Sequence, residues 1–158
     1  MVKEDWPQVA AIYQEGLDTG IATFETVVPD WETWDKTHLE VCRLVAVNDG
    51  LILGWAALSK VSNRQVYRGV AEVSIYIGKS ARGRKVGQQL LENLIVKSEE
   101  AGFWTLQSGI FPENKASLML HEKMGFRIIG YRERVAVRNG KWYDNCLLER
   151  RSPIIGVE

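Results

Sequence analysis

The chain has 158 residues, close to the usual size of one domain, and 46% of them are hydrophobic, which is typical of a globular protein with a sizeable core. Its 20 Lys and Arg balance 20 Asp and Glu, and this zero net charge argues against a general nucleic-acid binder or a binder of membrane surfaces. No apolar run approaches the roughly 18 residues of a membrane span, and the N-terminus lacks the apolar core of a signal peptide, so we expect a cytoplasmic protein.

The cysteines and histidines argue against a metal centre. Cys42 and Cys146 lie far apart in apolar surroundings, and the sequence has no CxxC pair. His38 and His121 are the only histidines, which excludes a multi-histidine site. We therefore expect two buried, reduced thiols and no bound metal.

The first predicted elements are helices. Asp5 can cap a helix in which Pro7 stands just inside the start, and apolar residues at three- to four-residue spacing continue it to about Gly16 or Gly20. An irregular segment rich in Thr and Asp leads to a short second helix at about residues 31–39.

Three strands are predicted next. Residues 43–49 and 51–59 are apolar and joined through Asp49-Gly50, which is a hairpin signal. After a polar loop, residues 70–77 alternate between apolar and polar side chains, as in a strand with two different faces.

A helical stripe of apolar residues begins at Val86 and ends before Gly102, and a strand follows at residues 104–111. Asn114 can cap a further helix at residues 115–124.

The last two strands, at residues 126–137 and 141–150, are joined by Asn139-Gly140, the strongest short hairpin signal. Hairpins and interposed helices together predict a single domain of the mixed α/β (α+β) class over residues 1–158.

A dense cationic segment precedes the third helix. The stretch "ARGRKVG" places Arg82, Arg84 and Lys85 among Gly83 and Gly87. The start of a helix has unpaired N–H groups and a partial positive charge, so this segment can form a phosphate or pyrophosphate cradle. The Lys-Ser/Thr pair of a Walker motif and the glycine spacing of a dinucleotide fingerprint are both lacking. A solvated turn is the alternative interpretation.

Two further residues are candidates for proton transfer. Glu72 stands in the middle of an apolar strand, opposite Val73, Ile75 and Ile77, so it belongs either to a solvated sheet face or to a cleft as a general base. His121 has apolar neighbours on its helix, and it is either a packing residue or a proton donor.

The order of these motifs resembles the GNAT N-acetyltransferase superfamily. That superfamily has a Gln/Arg-x-x-Gly-x-Gly/Ala pattern for the pyrophosphate of acetyl-coenzyme A, which Arg82 and Gly87 match. It also has a helix of the pattern Asn-x-x-Ser/Ala-x-x-Leu/Met-Tyr/His-Glu-x-x-Gly-Phe, which lines the pantetheine and thiol end. The chain matches that helix from Asn114 to Phe126.

Within the superfamily the chain most resembles the phosphinothricin and methionine sulfoximine acetyltransferases. The matching features are His121 and the segments "IYQEGLDTGIATFET", "YRGVAEVSIYI" and "RNGKWYDNCLLE". The resemblance covers about residues 5–150.

This resemblance implies the GNAT acyl-CoA N-acyltransferase fold, in which helices flank a mixed, mostly antiparallel central sheet. It implies an N-acetyltransferase enzyme with acetyl-CoA as its cofactor, and a homodimer, because loops of the family often meet across a two-fold axis. The cofactor-binding residues that it implies are Ile75, Tyr76, Ile77, Arg82, Gly83, Arg84, Lys85, Val86, Gly87, Gln88, Asn114 and Ser117.

The sequence departs from the family in two places. The cofactor pattern has glycine where this chain has Lys85, which a negative φ would tolerate and a positive φ would strain by about 1 kcal/mol or more. The family also opens with a strand, but Asp5 already caps the first helix, so we expect either that this strand is short or missing or that the true start lies upstream of Met1.

The implied mechanism is acyl transfer from a thioester to an amine. Glu72 takes the proton of the attacking amine, directly or through water, and a backbone N–H beside residues 75–77 stabilises the carbonyl oxygen. His121 supplies a proton to the leaving thiolate, and Tyr131 is the fallback acid.

The implied substrate is a small molecule with an amino-acid-like α-amine, of the phosphinothricin, methionine sulfoximine or methionine sulfone type. Arg68 can hold its carboxylate in a bidentate pair, with a solvated loop cation as the alternative. The other candidate substrate-binding residues are Phe24, Glu25, Tyr67 and Tyr143, whose aromatic rings can equally be packing residues. Two alternatives remain for the whole chain: acetylation of a peptide or protein amine, and a weakly catalytic acyl-CoA-binding domain.

Overall fold

The computed structural model describes residues 1–157, which form four α-helices and six strands. The helices are α1 (Trp6–Asp18), α2 (Trp31–Thr37), α3 (Val86–Glu100) and α4 (Lys115–Lys123). The strands are β1 (Leu44–Asn48), β2 (Leu51–Lys60), β3 (Val70–Ile77), β4 (Thr105–Ile110), β5 (Arg127–Arg138) and β6 (Lys141–Arg151).

All six strands belong to one sheet in the order β1-β2-β3-β4-β6-β5. Every neighbouring pair is antiparallel except β3 and β4, which run parallel. Parallel neighbours need a crossover connection, and α3 provides it. This is the mixed, mostly antiparallel sheet that the sequence predicts.

Two apolar clusters cover the two faces of the sheet. On one face the predicted stripe of α3 is buried, with Leu91 and Leu94 fully inaccessible against Leu58 and Ala56 of β2. Burying a leucine stabilises the fold by about 1.5–3 kcal/mol, so this stripe anchors α3 firmly. The cluster on the other face combines aliphatic and aromatic side chains, and its aromatic members include Tyr13 of α1, Trp34 of α2, Trp55 of β2 and Tyr76 of β3.

Both predicted hairpin turns are present. Asp49 and Gly50 have φ of 50° and 77°, and Asn139 and Gly140 have φ of 51° and 75°. Two consecutive residues of positive φ are the requirement of a type I′ turn, which is why Asp-Gly and Asn-Gly pairs occur there.

The N-terminal region differs in detail from the prediction. No strand precedes α1 in the part of the chain that the structure describes, and the terminal amine donates to the carbonyl oxygen of Arg43 at 3.1 Å. Asp5 occupies the N-cap position, but its carboxylate accepts from the N–H of Val2 instead of capping α1. The first turn of α1 therefore relies on Pro7, whose missing N–H needs no acceptor.

Cys42 is half-buried, Cys146 is buried, and both are free thiols. Among residues 1–157, none of the helices combines the length and the apolar character that crossing a membrane requires.

Candidate active site

The sheet opens between its two parallel strands. β3 and β4 pair only from Val70↔Thr105 to Glu72↔Gln107, although β3 continues to Ile77 and β4 to Ile110. Beyond Glu72 the two strands therefore diverge, and the backbone groups that face the gap have no ladder partner. The gap lies beside residues 75–77, where the family resemblance implies a free backbone N–H.

The splay creates a cleft of about 620 Å³. Its walls come from β3, β4, the β5–β6 hairpin, α4 and the loop between α1 and α2. The charged and histidine side chains that line it are Glu25, His38, Glu72, His121 and Arg132.

Glu72 lies where the strands separate, and it faces the cleft rather than the α3 core. Partial loss of water raises the pKa of its carboxyl above the ordinary value of 4.5, and the positive charge of Arg132 acts in the opposite direction. A raised pKa makes a carboxylate a better proton acceptor near neutral pH, which suits a general base.

The gap also contains a candidate site for an oxyanion. The carbonyl of Gly69 accepts from the N–H groups of Trp104 and Thr105 on the β4 side at 2.8 and 3.1 Å. Backbone groups of a strand point to alternate sides, so those of Ile75 point the same way, into the unpaired part of the gap. An N–H there can donate to a developing negative oxygen.

His121 is 1% exposed and lines the cleft from α4. Its Nδ1 lies 2.8 Å from the carbonyl oxygen of Ser117, so Nδ1 carries the proton and donates. Nε2 is buried without a hydrogen-bond partner. Burial lowers the pKa of the imidazole below 6.5, although the bond to the Ser117 carbonyl opposes this, so the neutral ring presents a bare acceptor nitrogen.

Tyr131 does not line the cleft. Its side chain is 59% exposed on β5, and its hydroxyl donates to the carboxylate of Asp144. That carboxylate raises the pKa of the Tyr131 phenol to about 12. His121 is thus the better placed of the two predicted acids.

The loop from Arg82 to the start of α3 presents a series of unpaired amides. No acceptor within residues 1–157 pairs with the N–H groups of residues 82–88, and the first bond of the helix runs from Gln89 to Lys85. A Cβ on Gly87 would lie 3.2 Å from Leu120 of α4 and 3.5 Å from Ile77 of β3, so the start of α3 packs against the splayed end of β3.

Three cations surround these amides. Arg82, Arg84 and Lys85 are exposed, and no carboxylate in residues 1–157 forms an ion pair with them. Unpaired amides, the positive end of a helix and three cations without ion pairs suit a diphosphate, and Arg82 lies close enough to β3 to donate from Nε to the carbonyl oxygen of Ile77 at 3.4 Å. The fit supports the pyrophosphate cradle over a merely solvated turn.

Lys85 occupies a strained position. It is the N-cap of α3 with φ 62° and ψ 10°, a left-handed conformation that favours glycine. The backbone at position 85 therefore has the left-handed conformation that suits the glycine of the family pattern. The Cβ of Lys85 makes this conformation less favourable.

We expect Lys85→Gly to raise the free energy of unfolding by about 1 kcal/mol, because glycine has no Cβ penalty at positive φ. Urea unfolding of both proteins measures this. Arg84→Gly is the matched control, since Arg84 is not among the residues with positive φ and glycine there only adds flexibility to the unfolded chain. Equal or opposite effects of the two changes would contradict the assignment of strain to Lys85.

The first turn of α4 is fixed by its cap. The side-chain oxygen of Asn114 accepts from the N–H of Ser117 at 3.2 Å, and its amide donates to the carbonyl of Ile21 at 3.3 Å. Asn114 and Ser117, both predicted from the sequence, line the cleft together with His121.

Part of the predicted substrate set lies together at the cleft. Phe24 packs on Phe111 with ring centroids 4.5 Å apart, and Tyr143 packs on both rings. The guanidinium of Arg138 donates to the carbonyls of Thr23 and Gly20, which ties the α1–α2 loop to the β5–β6 hairpin. Phe24 and Glu25, both on this loop, line the cleft. Tyr143 packs against the ring of Phe24 without lining the cleft itself.

Arg68 and Tyr67 lie elsewhere in the single chain. They border a small surface pocket on the loop before β3, and Arg68 stacks over the ring of Trp104 at 5.2 Å. Their role in substrate binding stays a prediction.

Sequence reasoning missed several residues of the cleft. Ser74, Ser108, Arg132 and Asn145 line it. The alternation of β3 indicates Ser74, on the face of Glu72, but no pattern points to Arg132.

Comparisons with known proteins agree with this geometry. The model of the acetyltransferase (GNAT) family matches residues 6–126. The chain is 35% identical over 153 residues to phosphinothricin N-acetyltransferase from Alcaligenes faecalis, covering 93% of this chain and 78% of that protein. It is 29% identical over 151 residues to an L-methionine sulfoximine/L-methionine sulfone acetyltransferase from Pseudomonas aeruginosa, covering 92% and 88%.

A solved structure extends the comparison to three dimensions. A GNAT superfamily phosphinothricin acetyltransferase from Sinorhizobium meliloti, in complex with AcCoA, superimposes with a TM-score of 0.82 at 28% identity, covering 96% of this chain and 85% of that one. The predicted family, fold and acetyltransferase class are confirmed. The chain belongs to the acetyltransferase (GNAT) family.

Proposed function

We propose that the protein transfers the acetyl group of acetyl-CoA to the α-amine of a small amino-acid-like molecule, of the phosphinothricin, methionine sulfoximine or methionine sulfone type. The observation that carries this proposal is the splay of β3 from β4: Glu72 lines the resulting cleft, and the start of α3 with its free amides packs against the other end of β3 at Ile77. The names of the relatives support the substrate class.

Acetyl-CoA supplies a thioester whose acyl group the amine attacks. The amides of residues 82–88 and the cations of Arg82, Arg84 and Lys85 would hold its diphosphate, and Asn114 and Ser117, which line the cleft, would contact its thiol end. Glu72 removes a proton from the ammonium form of the substrate, leaving a nucleophilic nitrogen. The nitrogen–carbon bond forms as the carbon–sulfur bond breaks; the nitrogen loses its second proton, the departing sulfur gains one, and Glu72 returns its own to solvent, so the products are an amide and a thiol.

The role of His121 follows from its tautomer. Because Nδ1 donates to the Ser117 carbonyl, Nε2 is an acceptor that a thiol S–H can satisfy. We propose that His121 holds the thiol end in this way, with proton donation to the leaving sulfur as the alternative.

We expect His121→Phe to lower kcat at neutral pH by less than about tenfold, well below the 10²–10⁴ of a general acid. The reason is that a histidine whose pKa lies below 6.5 is mostly neutral at pH 7 and has no proton on Nε2 to give. The measurement is kcat against pH for both proteins. If His121 is the acid, wild-type kcat falls as pH rises through that lowered pKa, and the variant loses this limb together with about 100-fold of its rate.

A homodimer in the cytoplasm remains part of the proposal. The β5–β6 hairpin has exposed apolar side chains, including Val137 at 55% and Trp142 at 58%, and such side chains support contact with a second copy.

A thiol-release assay tests the function. Purified protein with acetyl-CoA is offered phosphinothricin, methionine sulfoximine, methionine sulfone, common amino acids and short peptides. We expect turnover only with the amino-acid-like amines. Turnover restricted to peptides would replace the substrate class, and acetyl-CoA binding without turnover on any amine would contradict the proposed catalysis.

A further inference from the structure

Resting on the proposed function, we infer that Arg132 binds the α-carboxylate of the substrate and so turns its α-amine toward Glu72. Arg132 would then be the specificity-determining residue that separates amino acids from simple amines.

The charged side chains that line the cleft support this role of Arg132. Glu25 and Glu72 line it, and Arg132 is its single Lys or Arg among residues 1–157. Without Arg132 the cleft would repel any substrate with a carboxylate, because two like charges would face it. An α-amino acid needs a cation for its carboxylate and a base for its amine, and this pair of side chains supplies both.

The side chain of Arg132 is also available to bind a substrate. It forms no ion pair and no side-chain hydrogen bond with another described residue. By contrast, Arg127 on the same strand pairs with Glu149, and Arg138 is held by the carbonyls of Thr23 and Gly20. An exposed guanidinium on the cleft wall without a protein partner can donate two parallel N–H bonds to a carboxylate.

The backbone explains why this side chain reaches the cleft. Arg132 pairs with Asn145, and the register then shifts so that the next paired residue is Ala136, opposite Tyr143. Extra residues on one strand bend it and redirect its side chains. The irregularity begins at Arg132 and brings Val135 and Ala136 to the same wall.

Arg132 and Glu72 are near each other but not bonded. Partial loss of water raises the pKa of Glu72 and the charge of Arg132 opposes this rise, yet the two side chains form no ion pair. Both side chains line the same cleft, so one small molecule there can contact both, and the amine and carboxylate of an α-amino acid are attached to one carbon.

The test compares wild type with Arg132→Met on methionine sulfone and on its α-carboxamide, which retains the amine and the side chain. Assays at about pH 9 keep Glu72 ionised in both proteins. We expect kcat/KM for methionine sulfone to fall by about 10- to 100-fold, mainly through KM, because hydrogen bonds to charged groups have that strength. The kcat/KM for the α-carboxamide should change by less than about threefold, because a neutral amide makes much weaker hydrogen bonds to Arg132 than a carboxylate does.

Two further variants sharpen the test. Arg134→Met on the same strand is the matched control, because Arg134 is exposed and does not line the cleft, so its kinetics should equal those of wild type. Arg132→Lys retains a charge but not the planar fork, so it should recover only part of the loss.

The outcomes separate the inference from the proposed function. Equal losses on both substrates, or no loss on either, would overturn the role of Arg132 while acetylation by wild type upheld the proposed function. Wild type that acetylates neither compound would overturn the proposed function and this inference with it.

Discussion

Glu72→Gln is expected to lower kcat by about 10²–10⁴, the usual contribution of general acid–base catalysis, while the Kd of acetyl-CoA stays within about twofold of wild type. The amide retains the shape of the side chain but cannot take a proton from the ammonium group. Steady-state kinetics with methionine sulfone and calorimetric titration with acetyl-CoA measure the two quantities. Glu133→Gln is the matched control, because that carboxylate is exposed on β5, away from the cleft.

The pH profile of wild type makes the same assignment independently. A base must be ionised, so kcat/KM should fall as pH falls through the pKa of Glu72, which lies above 4.5. In Glu72→Gln this acidic limb should disappear. Wild-type turnover in the variant at every pH would remove Glu72 from the mechanism.

The double variant Arg82→Ala/Arg84→Ala is expected to raise the Kd of acetyl-CoA by about 10- to 100-fold, because each guanidinium can make charge-assisted bonds to the diphosphate. Its kcat at saturating acetyl-CoA should change little, since neither side chain lies in the cleft. Titrations at low and high salt should also show a weaker salt dependence in the variant.

Lys60→Ala/Arg64→Ala serves as its control. It removes the same number of positive charges, one at the end of β2 and one in the loop before β3, outside the cradle. If it weakened acetyl-CoA binding as much as the first pair does, general attraction rather than a local diphosphate site would explain the affinity.

The sequence predicts the parts of the site that follow from simple periodicity. Alternation along residues 70–77 places Glu72 opposite the core-facing Val73, and the structure shows this. A glycine-rich cationic segment before an apolar stripe predicts the helix start whose amides the structure leaves free.

Residues beyond these patterns depend on tertiary geometry. Along β5 the register shifts twice, between Ile128 and Gly130 and between Arg132 and Ala136, so alternation cannot tell which side chains reach the cleft. This is why Arg132 escaped prediction and why Tyr131, selected as a fallback acid, lies outside it.

Arg68 illustrates a different limit. It lies four positions before Glu72, which along an extended chain is roughly 13 Å, and its side chain stacks on Trp104. Although Arg68 is close to Glu72 in the sequence, its side chain does not line the cleft in the single chain. Arg132 lies 60 positions beyond Glu72 in the chain and reaches the same cleft through the sheet order.

A crystal structure with acetyl-CoA bound tests the central claim most directly. The account predicts that the diphosphate accepts hydrogen bonds from amides within residues 82–88 and that the acetyl carbon lies in the β3–β4 gap, within reach of an amine held by Glu72. A diphosphate bound away from the start of α3, or an acetyl group outside that gap, would contradict it.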